Sequence, residues 1–268
     1  MGRNKEGVGE LNIAYNMDCL EAMKQMEDNA FDLAVVDPPY GDGLTDNGGG
    51  RTMEQIRSEV RPIQTVNRSG FHGKNPYHLG GERKTHLTSG RRKGQGQPDW
   101  WNVGGEIRKK IIAWDVAPKQ EYFEELFRVS RNQIIWGGNY FDLPPTRCFL
   151  VWRKSNVPLE GFSMASAEYA WTSFYQNAMV FEFSAVGQVG RFHPTQKPPE
   201  LYRWIYKHFA HEGDKILDTH LGSGSSRIAA YDAGLDFVGY EIDKEYFEKQ
   251  EERFARHTAQ TSLFIDEF

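Results

Sequence analysis

Cysteine is scarce in this chain: Cys19 and Cys148 are the only two among 268 residues. Two thiols make no disulfide framework, so the sequence points to a reducing compartment, with each cysteine a small apolar filler near a strand end. Long apolar runs are missing as well. No stretch reaches the roughly 20 residues of a membrane span, and the opening "MGRNKEGVGE" has no signal-peptide core. These absences lead to the expectation of a soluble, cytoplasmic protein. Metal-ligand spacing is also absent. His72, His78 and His86 have no cysteines near them, which suits solvated or nucleic-acid-facing histidines and leads to the expectation of no metal. No internal repeat is visible.

What is present is enough apolar material, 39% hydrophobic and 13% aromatic, for one large domain or a domain with an insertion. The net charge of -5 is unevenly spread. Between Arg51 and Lys110 stand 13 Lys and Arg against 5 Asp and Glu, a net of +8, which leaves -13 for the remainder. A basic segment in an acidic chain fits a polyanion partner, and equally a solvated loop.

The periodicity predicts an α/β chain. "LNIAY" reads as a short strand, "DCLEAMKQM" as a helix capped by Asp18, and "FDLAVV" as a strand apolar on both faces, as in a covered parallel sheet. From Gly41 to about Gly105 the rhythm stops, over a stretch too long for an ordinary connection, so residues 41–110 read as a functional or disordered insertion. Order resumes with the helix "PKQEYFEELFRVS" and the strands "NQIIW" and "CFLVWRKSN". "AEYAWTSF" and "AMVFEFS" read as a strand pair that can form a hairpin at Gln176 and Asn177. A helix from Pro199 to Ala210 follows "HPTQK". Then come strand, Gly-rich turn and helix in "ILDTHLGSGSSRIAA", the strand "DFVGYEID", the helix "KEYFEKQEERFARHT" and a tail from 258 to 268. Trp136 and Trp152 lie in apolar runs and are expected in the core.

Three constellations carry chemistry. Asp218 ends a strand, Gly222, Ser223 and Gly224 form the turn, and a helix begins after it. Such a turn offers bare N–H groups to a polar ligand at the sheet's ligand-binding edge, although glycines also serve tight packing. No lysine follows the second glycine, so it is not a phosphate P-loop. Glu241 ends the next strand, 23 residues after Asp218, in the order expected of an acid that binds ribose hydroxyls. "DPPY" ends the early strand: Asp37 accepts hydrogen bonds, Pro38 offers a bare carbonyl, Pro39 stiffens the turn and Tyr40 presents a flat ring. An acceptor pair beside an aromatic suits a planar group with an exocyclic amino group. Without other context, the same residues are a stiff strand end.

"DPPY", "DTHLGSGSS", "VGYEID", "RFHPTQKP" and "NMDCLEAMKQM" together resemble the S-adenosylmethionine-dependent amino-methylating DNA methyltransferases. The early DPPY element and the late Gly-rich turn resemble the permuted group often called the beta class. The resemblance implies a doubly wound, mostly parallel seven-stranded sheet of the class I methyltransferase type in one domain. It implies cofactor contacts at Asp18, Asp37, His193, Thr195, Lys197, Asp218, Gly222, Ser223, Gly224 and Glu241. From the residues alone, Thr195 can be a helix cap and Lys197 a solvated end. His220 departs from the family, which has an aromatic there. Aspartate at position 37 resembles the adenine N6 enzymes, whereas cytosine N4 enzymes more often have serine.

The resemblance further implies direct methyl transfer to a flipped base, with Asp37 and the Pro38 carbonyl accepting from the amino group and Tyr40 stacking on the ring. The insertion becomes the expected recognition region for double-stranded DNA. Arg51, Arg57, Arg61, Arg68, Lys74, Arg83, Lys84, Arg91, Arg92 and Lys93 are its candidate DNA contacts, in a nucleoid-associated enzyme. "QTSLF", Gln260 to Phe264, resembles the peptide by which bacterial proteins dock on the replication sliding clamp, unless Leu263 and Phe264 pack on the domain. Cytosine N4 methylation, RNA or protein amino-methylation, and an inactive nucleic-acid-binding module are the alternatives. The protein-glutamine enzymes usually have asparagine where Asp37 stands.

Overall fold

The computed structural model describes residues 12–41, 115–157, 165–184 and 190–265, with side chains as far as Gln260. All belong to one of the two units into which the chain divides, Met1–Asp42 with Trp114–Phe268. The candidate DNA contacts from Arg51 to Lys93, the histidines 72, 78 and 86, and the side chains of Leu263 and Phe264 lie outside the described residues.

In chain order the elements are β1 (Asn12–Tyr15), α1 (Cys19–Met23), β2 (Phe31–Val36), α2 (Gln120–Val129), β3 (Ser130–Trp136), a 3-10 turn (Gly138–Tyr140), β4 (Phe149–Lys154), β5 (Ala167–Thr172), β6 (Met179–Phe183), α3 (Pro199–Phe209), β7 (Lys215–Asp218), α4 (Ser225–Asp232), β8 (Asp236–Tyr240) and α5 (Lys244–Ile265). The strands form one sheet in the order β1-β8-β7-β2-β3-β5-β4-β6. Every neighbouring pair is parallel except the two that involve β5, which runs against β3 and β4. The doubly wound α/β reading holds, with eight strands where the resemblance implies seven. The eighth is the outer strand β6. Its alternation places Met179 and Phe181 on the core and Val180 outward, 65% exposed, which suits a sheet edge.

The expected hairpin does not form. β4 lies between β5 and β6 and pairs with both, Leu150 standing opposite Ala170 on one side and Met179 on the other. The segment from Ser173 to Ala178 is long enough to step across one strand, about 5 Å wide, so no tight turn is imposed. At the other end of the chain, "QTSLF" was expected to follow a helix, yet α5 continues through Ile265. Nothing in "AQTSLFI" stops it: no glycine or proline stands there.

β2 shows why its sequence is apolar throughout. Leu33 and Val35 face a layer with Leu201, Ile205 and Phe209 of α3 and Ala229 and Ala230 of α4. Ala34 and Val36 face the opposite layer, with Met23 of α1 and Tyr122, Phe123 and Leu126 of α2. Burial of such side chains is worth roughly 1.5–3 kcal/mol each. Trp136 and Trp152 are in the core as expected, 0% and 2% exposed. Helix starts also follow local chemistry. Asp18 caps α1, accepting from Leu20 N at 2.7 Å, and Pro199 opens α3.

This topology fixes where a ligand can sit. From β7 the sheet grows one way through β8 and β1, and from β2 the other way through β3. The crevice outside the carboxyl ends of β7 and β2 is therefore the switch point of the sheet. Asp218 and Asp37 flank it. No helix among the described residues is long and apolar enough to cross a membrane.

Candidate active site

The turn after β7 is built around two glycines in the left-handed region, Gly222 at φ 52° and Gly224 at φ 74°. Gly224 leads into α4, and a β-carbon on it would press on the Gln250 side chain at 3.1 Å. Asp218 is buried behind the turn. It accepts from His220 N at 3.0 Å and from the Ser226 hydroxyl. Burial pushes its carboxyl up to about 7. Glu241, at the end of β8, is held from both sides: Gly222 N donates to Oε2 and Asp243 N to Oε1, each at 2.8 Å. Burial raises its pKa as well. The Ser223 hydroxyl faces Ser225 at 3.1 Å, and Arg253 donates to the Ser223 carbonyl.

His220, the departure from the family pattern, is accommodated by a polar chain. Tyr122 Oη lies 2.6 Å from Thr219 Oγ1, which lies 2.9 Å from His220 Nδ1, and the imidazole packs edge-to-face on Tyr122. Burial lowers the His220 pKa to about 4, so the ring is neutral at pH 7.

The strand end of β2 leads into a set of contacts with residues from four other places. Tyr40 Oη donates to Asp37 Oδ1 at 2.8 Å. Burial holds the phenol well above its ordinary pKa, so it stays a donor. Lys197 Nζ pairs with Asp37 Oδ2 and, at 3.1 Å, with Glu168 Oε2 at the start of β5. Glu168 Oε1 in turn pairs with Lys154 Nζ, the last residue of β4, at 2.6 Å. Tyr40 is stacked on the exposed Tyr140, with ring centroids 4.8 Å apart and planes 10° off parallel. Gly137, at φ 68°, lets the loop approach: a β-carbon there would fall 2.1 Å from Tyr40 Cε1.

The segment 191–197 lies over the Gly-rich turn. A β-carbon on Gly222 would stand 3.5 Å from His193 Cε1, and His193 packs edge-on to Tyr246. Burial, then Lys197 and Arg191, lower the His193 pKa to about 4. Two bland alternatives from the sequence fail here. Thr195 is exposed and bonded to His193 Nδ1 at 3.2 Å, while Pro198 occupies the N-cap of α3. Lys197 is no solvated end, because its side chain is 3% exposed and engaged by two carboxylates.

Asp37, Tyr40, Lys197, His193, Gly222, Asp218 and Glu241 thus line one edge of the sheet. Asp18 is exposed in the α1 cap, near enough to the turn after β7 for its charge to act on His220. Glu168, Lys154, Gly137 and Tyr140 were missed. The available signal was the charged residues in two otherwise largely apolar strands, Glu168 in "AEYAWT" and Arg153 with Lys154 in "FLVWRK".

The donor set fits a nucleoside-bearing cofactor. Glu241 is fixed by backbone N–H groups with lone pairs left for hydroxyls, and a Gly-rich helix entry lies beside it. A family model described as DNA methylase, N6_N4_Mtase, matches residues 99–252. The Type II methyltransferase M2.MboI of Moraxella bovis is 25% identical over 264 residues, covering 90% of this chain and 86% of that protein. The Type II methyltransferase M2.DpnII of Streptococcus pneumoniae is 26% identical over 243 residues, covering 87% and 86%. Among solved structures, the complex of M1.HpyAVI with S-adenosylmethionine has 18% identity and a TM-score of 0.44, covering 90% of this chain and 97% of that one. The chain belongs to the DNA methylase family of N6 and N4 amino-methyltransferases, enzymes that take their methyl group from S-adenosylmethionine.

Proposed function

We propose that the chain methylates adenine N6 at a specific site in duplex DNA. The observation that carries this reading is Asp37 at the mouth of the crevice, one strand over from the Gly-rich turn, with a carboxylate where cytosine N4 enzymes more often have serine. Its two oxygens already accept from Tyr40 and Lys197. Each oxygen has a second lone pair, so the carboxylate can also accept from an amino N–H.

The cofactor supplies a methyl group on a sulfonium. Glu241 would hold its ribose hydroxyls, Asp18 its adenine end, and His193, Thr195 and Lys197 its methionine end. Asp218, Gly222, Ser223 and Gly224 would shape the turn beneath it. Ser223 has its hydroxyl turned to Ser225, so it would act through its backbone. Asp37 and the Pro38 carbonyl would draw on the amino hydrogens, favouring a tetrahedral, nucleophilic nitrogen in line with the methyl group. Proline at 38 and 39 removes competing N–H donors. Tyr40 would contact the flipped base and offset part of the few kcal/mol that unstacking costs. The insertion would supply the phosphate and base contacts, and Gln260–Phe264 a clamp contact.

The test is expression in a methylation-free host, followed by modification-sensitive single-molecule sequencing of its DNA. N6-methyladenine in a fixed context is the expected result, and N4-methylcytosine would overturn the base assignment. Asp37→Ala should lower transfer of labelled methyl to DNA by about 100- to 1000-fold. An unchanged rate would remove Asp37 from the chemistry.

A further inference from the structure

Four charges, two buried lysines and two half-buried carboxylates, run in alternating sign from the crevice into the sheet: Asp37, Lys197, Glu168 and Lys154. They come from β2, the segment before α3, β5 and β4. β5 is the one described strand that runs against its neighbours. Its first residues therefore lie at the same edge as the last residues of β2 and β3, and Glu168 reaches that edge opposite Trp152. The Trp136 ring lies under Lys197 at 5.3 Å and the Trp152 ring near Lys154 at 5.2 Å, so the two ammonium groups are walled by indoles.

We propose that Glu168 is a positioning residue for methyl transfer, holding Lys197 between two carboxylates so that Asp37 keeps its charge and orientation. The proposal rests on Asp37 being the acceptor of the amino group. A buried ammonium paired with Asp37 alone would cancel that carboxylate's field, where the reaction carries positive charge onto the amino nitrogen. With Glu168 as a second partner, the three groups nearest the crevice sum to one negative charge. Lys154 balances it from the far side of Glu168. Burial pushes the Glu168 carboxyl up, but Lys197 and Lys154 outweigh it and hold it at about 2, so Glu168 is ionised at every working pH. The same two carboxylates raise Lys197 against its own burial. Lys197 donates to both Asp37 and Glu168, and the chain of contacts leaves its nitrogen little freedom to shift toward Asp37.

The experiment measures the single-turnover rate of methyl transfer to cognate DNA and the melting temperature, in four variants. Glu168→Gln should slow transfer about 10- to 100-fold, as a misplaced reacting group does. Glu168→Asp should recover part of it. Glu168→Gln combined with Lys154→Met restores the charge balance; it should recover the melting temperature but not the rate. Recovery of rate and melting temperature together would show a structural role only and overturn the proposal, as would a Glu168→Gln rate within twofold of wild type. Asp37→Ala in the same assay separates the two readings. If it is inactive while Glu168→Gln is unaffected, only the role of Glu168 falls. If it is fully active, the reading of the site falls and this proposal with it.

Discussion

Two acids at one edge of the sheet, Asp218 buried and Glu168 half-buried, have opposite fates. Asp218 is 2% exposed and is held by its own turn, through the His220 N–H and the Ser226 hydroxyl; its carboxyl is pushed up to about 7. Glu168 also suffers burial, yet two ammonium groups bring it down to about 2. Neutral donors soften the cost of a buried charge, whereas full cations reverse it. The β7 side of the crevice is thus organised by local hydrogen bonds and the β2 side by long-range ion pairs.

The strongest way to break this contrast is Lys197→Met. It strips the central cation from Asp37 and Glu168 and should cost about 3–5 kcal/mol, measured by urea denaturation, because two carboxylates are left without it. A loss under about 1 kcal/mol would mean that water replaces the ammonium, and the contrast with Asp218 would vanish.

The pH dependence of stability sharpens it next. Asp218 has its folded pKa raised from an unfolded value of about 4, so its contribution to stability is lost as pH rises from about 4 through about 7. Glu168 has the opposite sign. Its contribution is present above about pH 4.3 and lost as pH falls through about 2. Asp218→Asn should therefore remove up to about 1.4 kcal/mol per pH unit of slope between pH 4 and 7 and leave the acid limb unchanged. Denaturation curves at pH 5 and pH 8 with the same slope in both proteins would refute it.

The smallest effect is a control one residue from Lys154. Arg153 pairs with Glu182 at 2.6 Å, but the two side chains are 33% and 58% exposed. Arg153→Gln should change stability by no more than about 0.5 kcal/mol. A larger loss would show that burial is not what distinguishes the Lys154 pair.

The strand ends were legible because each carries an acid after an apolar run, and Asp37, Asp218 and Glu241 stand where that pattern places them. α2 and α3 were legible from their apolar spacing, Tyr122, Phe123 and Leu126 in one and Leu201, Ile205 and Phe209 in the other. Strand order was not. Period-two alternation in β6 says which side faces the core but not which strand lies beside it, so the β4 intervention between β5 and β6 was invisible. Glu168 and Lys154 were passed over for a related reason, and so was the pairing of Lys197. A charge in a strand or at a helix entry reads as solvated until its partner is known, and these partners lie on separate elements. Tyr140 was passed over because an aromatic after a Gly-Gly turn carries no signal that its ring meets Tyr40.

The chain leaves the sheet at Gly41 and returns at Asp115, and there Gly41 N donates to Asp115 Oδ1 at 3.0 Å. A β-carbon on Gly41 would lie 2.7 Å from Ala117 N. Exit and re-entry are thus one locked joint. The closure cost of whatever sequence runs between them grows only with the logarithm of its length. Such a joint uncouples the length of the intervening sequence from the positions of Asp37 and Tyr40.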